Sequence, residues 1–293
     1  MKTGVSVFIA AFAALGASWC GFVLAPSLQL GGAGQQTVLN GSDSYPIQRT
    51  GDATLGAQVY RANGCVACHT EQVRQTGVAC EVTLTSLGVH KPADFVDYVR
   101  SLSVLPKLAP YTNALNASLK DWTGELPKTL MTSSDKEIAT EMADRLKAIG
   151  IKSETRIVAT GADIARGWGL RQSVAADYLY DQPVQLGALR AGPDLANIGV
   201  RMPDAKLQLQ HLYAPKSVLK DSTMPPFRYL FEVRKISSAP SPDALTLTGE
   251  FAPPAGFEVV PTTDAKHLAA YLLSLKSDAP LYEAPFTPVT AAK

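Results

Sequence analysis

The stretch NGCVACHT, residues 63–70, holds two cysteines two residues apart with a histidine directly behind them. Three chemistries use such a group. A zinc site needs a second ligand pair, and the other cysteines, Cys20 and Cys80, stand alone. A thioredoxin-like redox motif belongs beside a βαβ pattern, which the sequence does not offer. The remaining reading of C-x-x-C-H is covalent haem c attachment, with thioethers at Cys65 and Cys68 and His69 as an axial iron ligand. Four cysteines and four histidines in 293 residues make a chance occurrence rare, about one in a thousand.

The elements needed to position these residues follow from the flanking pattern. Leu55, Val59 and Tyr60 recur at helical spacing over 52–62, and Gly64 stands where a helix C-cap belongs. Near the other end, TDAKHLAAYLLSLKSD sets Leu268, Tyr271, Leu272 and Leu275 on one stripe behind an N-cap at Thr263. Between them lie RAGPDLANIG at 190–199 and STMPPF at 222–227. Pro225 and Pro226 stiffen the chain behind Met224.

Residues 4–25 run 22 positions without a charge, long enough to cross a bilayer as a helix. Lys2 and the amino terminus place the N-terminus in the cytoplasm and the rest outside. The length favours a retained anchor over a cleaved signal peptide. The expected organisation is an anchor at 1–25, a polar linker at 26–50, a haem domain at 51–277 and a tail at 278–293. A helical insertion is expected at about 78–153, where KPADFVDYVRSL carries Phe95, Val99 and Leu102 on one face. SDKEIATEMADRLKAIG opens there with a Ser134/Glu137 capping box and stops at Gly150. The insertion fits equally a packing lobe and a partner-docking surface. Net charge is +1 with no basic run, so nothing points to nucleic acid.

A helix before the haem motif and another closing the domain resemble the plan of a class I cytochrome c. That resemblance implies a mainly α domain, with the Pro193 carbonyl orienting His69 and Met224 as the second axial ligand. His90, His211 and His267 are the other side chains able to fill that position. Arg74 and Arg190 are candidate donors to haem propionates, because a guanidinium fork suits a carboxylate, with Trp168 and Tyr180 as further haem neighbours.

The chain resembles more closely the membrane-anchored mono-haem subunit II of cbb3-type cytochrome c oxidases. The likeness runs through the anchor, CVACHTEQVR, SVAADYLYDQPVQLGALRAGPDL and DSTMPPF. It departs at Gln75, where the family usually has proline, at Leu189, where it has a basic residue, and in a longer insertion. The resemblance implies a single-pass protein of the bacterial inner membrane with its haem domain in the periplasm. One haem c would pass electrons from a donor cytochrome c, typically a di-haem subunit, to the catalytic haem b/copper subunit. No oxygen site or copper ligand set is visible, so the chain is expected to be non-catalytic alone. The small cytochrome c subunit of a nitric oxide reductase and a haem-based gas sensor are the alternative functions.

Overall fold

The computed structural model describes residues 2–31, 36–37, 44–102 and 105–278. Parts of the expected linker (32–35 and 38–43) and nearly all of the expected tail (279–293) lie outside that range. Helix makes up 46% of the structure, in keeping with a mainly α chain. Two compact units are formed, one of Met1–Gln72 with Ser173–Lys293 and the other of Val73–Gln172.

The first unit opens with α1 (Lys2–Trp19), a π-helical stretch Cys20–Leu24 and α2 (Ala25–Gly31). Together they supply an apolar helical span, Gly4–Gln29, long enough to cross a membrane. The anchor expected to stop at 25 therefore continues. Pro26 cannot donate to the preceding turn, and the Ala25 amide reaches back to the Cys20 carbonyl in the wider π turn ahead of it, so the helix passes through the proline. The short strands β1 (Gln36–Thr37) and β2 (Ser44–Tyr45) pair antiparallel. Then α3 (Asp52–Ala62) covers the helix read at 52–62. It ends at Gly64, whose φ of +67° is the left-handed cap that glycine adopts at little cost.

The second unit contains β3 (Gly77–Ser86), α4 (Pro92–Leu102), α5 (Thr112–Leu119), β4 (Lys128–Ser133), α6 (Lys136–Ala148), β5 (Lys152–Thr160) and α7 (Ala162–Ala165). Its three strands form an antiparallel sheet in the order β4-β3-β5. The expected helical insertion at 78–153 is thus corrected to a mixed unit. Helices are present where the apolar stripes fell, and Phe95, Val99, Met142 and Leu146 are buried. They share a core with Cys80, Val82 and Leu84 of β3, which alternate with the less buried Glu81 and Thr83. The cap of α6 is Asp135, which accepts from the Glu137 amide at 2.8 Å, rather than the expected Ser134.

The chain returns to the first unit with α8 (Ile198–Arg201), α9 (Ala205–Tyr213), α10 (Pro215–Val218), the antiparallel pair β6 (Phe231–Lys235) and β7 (Phe257–Pro261), and α11 (Thr263–Ser274). The N-cap of α11 is Thr262, one residue before the expected Thr263, and its hydroxyl accepts from the Ala265 amide at 3.3 Å. Helices α3 and α11 approach closely at Gly56, where a Cβ would stand 1.9 Å from the His267 carbonyl oxygen. Tyr60 and Tyr271 meet across this crossing with their rings tilted by 53° and centroids 5.2 Å apart. Leu209, Leu212, Leu230, Val259, Leu268 and Leu272 complete the core behind it.

Candidate functional site

The cysteines and His69 occupy one tight turn. The Cys68 and His69 amides both donate to the Cys65 carbonyl, at 3.1 and 3.0 Å, after Gly64 has ended α3. This presents two thiols and an imidazole from five residues of backbone. Neither thiol is in a disulfide. Cys65 borders the apolar core, and burial pushes its thiol up to about 11.

A second segment runs beside this turn. The Ala188 and Gly192 amides donate to the carbonyls of Val66 and Cys68, at 3.1 and 2.8 Å, and the Leu195 amide donates to that of Thr70 at 2.8 Å. The path holds the His69 ring in place: its Nδ1 lies 2.8 Å from the Pro193 carbonyl oxygen. A carbonyl only accepts, so Nδ1 carries the proton and Nε2 keeps a lone pair for a metal. Gly192 provides the space, since a Cβ there would sit 2.3 Å from His69 Cε1.

Behind the ring the support is polar and buried. Asp194 is fully buried and accepts from the Thr70 hydroxyl at 2.6 Å, the Gln72 amide at 2.9 Å and the Ala196 amide at 2.9 Å. Arg190 donates from Nε to the Thr70 hydroxyl at 2.9 Å, and also engages the Gln72 carbonyl and Asp194. Its guanidinium is thus tied to the turn. Glu71, 2% exposed, accepts from the Tyr271 hydroxyl at 2.8 and 2.9 Å. Burial raises its carboxyl to about 8, against the lowering effect of the Tyr271 hydroxyl and of Arg49. Tyr178 donates to the Glu71 carbonyl at 2.6 Å, and Arg49 pairs with Asp181. None of Asp194, Glu71, Tyr178 or Arg49 was singled out from sequence as a site residue. Their partners lie far along the chain, and no local periodicity marks them.

The other sequence candidates fall in several places. Met224 is half-buried against the same core as Cys65, and its loop is fixed by the Phe227 amide, which donates to the Leu212 carbonyl at 2.9 Å. Tyr180 is half-buried in the turn closed by the Asp181 amide on the Tyr178 carbonyl. Arg74 and Trp168 belong to the second unit. There the Arg74 amide donates to Asp163 at 2.8 Å, and the Arg166 guanidinium lies over the Trp168 ring at 5.0 Å.

Of the histidines considered beside Met224, His90 is bonded through Nε2 to the Ile149 carbonyl at 2.7 Å in the second unit. His267 sits on α11, 3.5 Å from Asp52. His211 on α9 is different: its Nδ1 is shielded from solvent and has no hydrogen-bond partner. Burial, and then the nearby His69 ring, lower its affinity for a proton.

The residues present fit a haem c. Two free thiols stand three positions apart in a turn, the histidine behind them has its tautomer set, and a thioether and an apolar wall belong to the same core. No curated protein matches the chain. The family model described as "Cytochrome C oxidase, mono-heme subunit/FixO" matches residues 157–251, under half of the chain, a stretch with Arg190, Pro193 and Met224 but without Cys65, Cys68 or His69. That match bears out the resemblance to the mono-haem subunit of the cbb3-type oxidases.

Proposed function

We propose that the chain is the electron-transfer subunit of a terminal cytochrome c oxidase and carries one haem c in a class I cytochrome c-like domain. The carrying observation is the 2.8 Å approach of His69 Nδ1 to the Pro193 carbonyl, directly behind two free cysteines in one turn. Cys65 and Cys68 would hold the macrocycle by thioethers, His69 and Met224 would bind its iron, and the bound group would supply a one-electron couple. The family match at 157–251 and the crossing of α3 with α11 at Gly56 support this reading.

The protein's own contribution is orientation and environment. The Pro193 carbonyl fixes the tautomer and plane of His69, and the bond raises its basicity. Asp194 and Arg190 keep residues 70–72 in register with 190–196. Arg190 therefore serves the haem environment from behind the turn. Leu195, Leu209 and Leu212 of the buried core exclude water from one side. The apolar helix Gly4–Gln29 anchors the chain in the bacterial inner membrane, with Lys2 cytoplasmic and the haem domain periplasmic. Electrons arrive from a donor cytochrome c, such as a di-haem subunit, and leave to the catalytic haem b/copper subunit, where oxygen is reduced.

Two measurements test this. Acid–acetone extraction of the purified chain should leave the haem attached, with a pyridine haemochrome of c type, and Cys65→Ser/Cys68→Ser should abolish it. Detergent-solubilised membranes should yield a complex that also contains b-type haem and copper. A freely extracted haem would refute the attachment, and a chain that always purifies alone would refute the oxidase assignment.

A further inference from the structure

We propose that the free edge of β5 is a self-association surface, on which a second copy of this chain adds its own β5 antiparallel about a two-fold axis at Thr155. The inference concerns the second unit alone and is independent of the haem reading.

The sheet order β4-β3-β5 leaves two outer strands. The shorter one, β4, is partly claimed: its Thr129 carbonyl accepts from the Ser118 hydroxyl, and its Ser133 hydroxyl bonds that of Tyr111, each at 2.7 Å. Strand β5 is 9 residues long and exposed or half-buried from end to end. Among the described residues it pairs with β3 alone. Its inner side is marked by the Thr160 carbonyl, which accepts at 2.9 Å from the Thr76 amide just ahead of β3. Backbone groups alternate in direction along a strand. Ser153, Thr155, Ile157 and Ala159 therefore turn theirs away from β3, and no group among the described residues bonds them there.

An open edge of this kind is a template for another strand, and like charges are a usual deterrent. Here both signs are present on one face, at Lys152, Glu154 and Arg156. Arg156 bonds Glu81 of β3 at 2.7 Å, whereas Glu154 is exposed and has no ion pair among the described residues. The charges select the register. A two-fold at Thr155 sets Glu154 opposite Arg156 of the second copy, and the symmetry repeats the pair. A two-fold at Arg156 would oppose two arginines. One at Glu154 would oppose two glutamates and set Lys152 against Arg156. In the Thr155 register the residues that exchange backbone bonds are Thr155 with its own copy and Ser153 with Ile157, all of them outward-facing. The added strand also covers Ile157, which is 45% exposed although it lies across from the core residue Cys80.

The test uses the full-length chain carrying Cys20→Ser, in detergent and in membranes. With Thr155→Cys added, the two copies of residue 155 would stand about 5.5 Å apart at Cα, inside the roughly 4.4–6.8 Å span of a disulfide. Oxidation with copper–phenanthroline should give an adduct of two 31.1 kDa chains on a denaturing gel, and the Cys20→Ser parent should give none. Glu154→Cys and Arg156→Cys chains should link when mixed in detergent and far less when each is alone. Glu154→Lys changes a side chain that pairs with nothing in its own unit, so the melting temperature should hold. Its dimer dissociation constant by sedimentation should rise about tenfold or more, because the two-fold turns two attractive pairs into two repulsive ones. No linkage at Thr155→Cys, an adduct of any other mass, equal linkage of Glu154→Cys alone and mixed, or a Glu154→Lys dimer as tight as the parent's would each overturn the proposal.

Discussion

The proximal arrangement can be tested by adding one methylene's worth of volume at Gly192. This glycine has no positive φ, so alanine is sterically allowed by the backbone and the effect isolates contact with the ring. The new Cβ would lie 2.3 Å from His69 Cε1, 2.7 Å from Nδ1 and 3.0 Å from Nε2. Carbon atoms settle at roughly 3.5–4.0 Å, so the ring has to retreat by about 1 Å. From its present 2.8 Å, the Nδ1–Pro193 contact would then exceed the range of a hydrogen bond. Overpacking costs about 1–3 kcal/mol, and the lost bond adds about 1 kcal/mol. A shift of that size is readily seen in a urea unfolding curve.

The more diagnostic readout is the haem. Loss of this kind of outer-sphere partner typically weakens metal binding about 10–100-fold. Gly192→Ala should therefore reduce the fraction of chains loaded with haem c. In those that are loaded the reduction potential should rise, because His69 donates less strongly to ferric iron once its Nδ1 proton is no longer shared. Pro193→Ala is the matched control: it alters the next residue but keeps the carbonyl that accepts from His69. If Gly192→Ala retains the parent's haem content and potential, or if both variants respond alike, the ring–carbonyl pairing does not organise the site.

Asp194→Ala would strand the Thr70 hydroxyl and the Gln72 and Ala196 amides. At about 1–3 kcal/mol for the buried Thr70 hydroxyl left unpaired, with Gln72 exposed and Ala196 half-buried, chemical denaturation should show a loss of at least about 1 kcal/mol. Gly56→Ala drives a Cβ to 1.9 Å from the His267 carbonyl. Overpacking of about 3 kcal/mol should lower the melting temperature by roughly 6–12 °C, and an unchanged melting temperature would contradict the tight α3–α11 crossing. Glu71 has its carboxyl raised by burial to about 8. The folded state therefore holds a proton that the unfolded chain releases near 4.5. Its contribution is complete at acid pH and declines as pH rises from about 4.5 to about 8. Glu71→Gln should flatten that slope in unfolding curves recorded across the interval, and an unaltered slope would assign it to another group.

What the sequence disclosed was local, and what it concealed was long-range or depended on tertiary strain. The α3 helix, its glycine end, the α11 stripe and the cysteine turn are each written within a dozen residues, where helical period and the left-handed cap leave a direct trace. The two caps that moved by one residue, Asp135 and Thr262, follow clustered serine, threonine and aspartate residues, any of which can accept from a helix amide. Passage of the first helix through Pro26 depends on a π turn, which leaves no compositional mark. The strands of the second unit fared worse. Gly77–Ser86 does alternate in its second half, but Lys152–Thr160 is exposed or half-buried throughout and carries no alternation to read.

The supporting polar residues were hidden for a more general reason. Asp194 reaches Thr70 across 124 positions and Tyr271 reaches Glu71 across 200, so each pairing exists only once the chain has closed on itself. A buried carboxyl group is nevertheless costly without hydrogen-bond partners, and two of them, at 71 and 194, flank the turn and its partner segment. Each is held by groups from elements distant in sequence. They couple formation of the His69 turn to closure of the α3–α11 pair and to docking of residues 186–195. The geometry that orients His69 is therefore a property of the completed fold, whereas the cysteines that would capture a haem already stand together in the sequence.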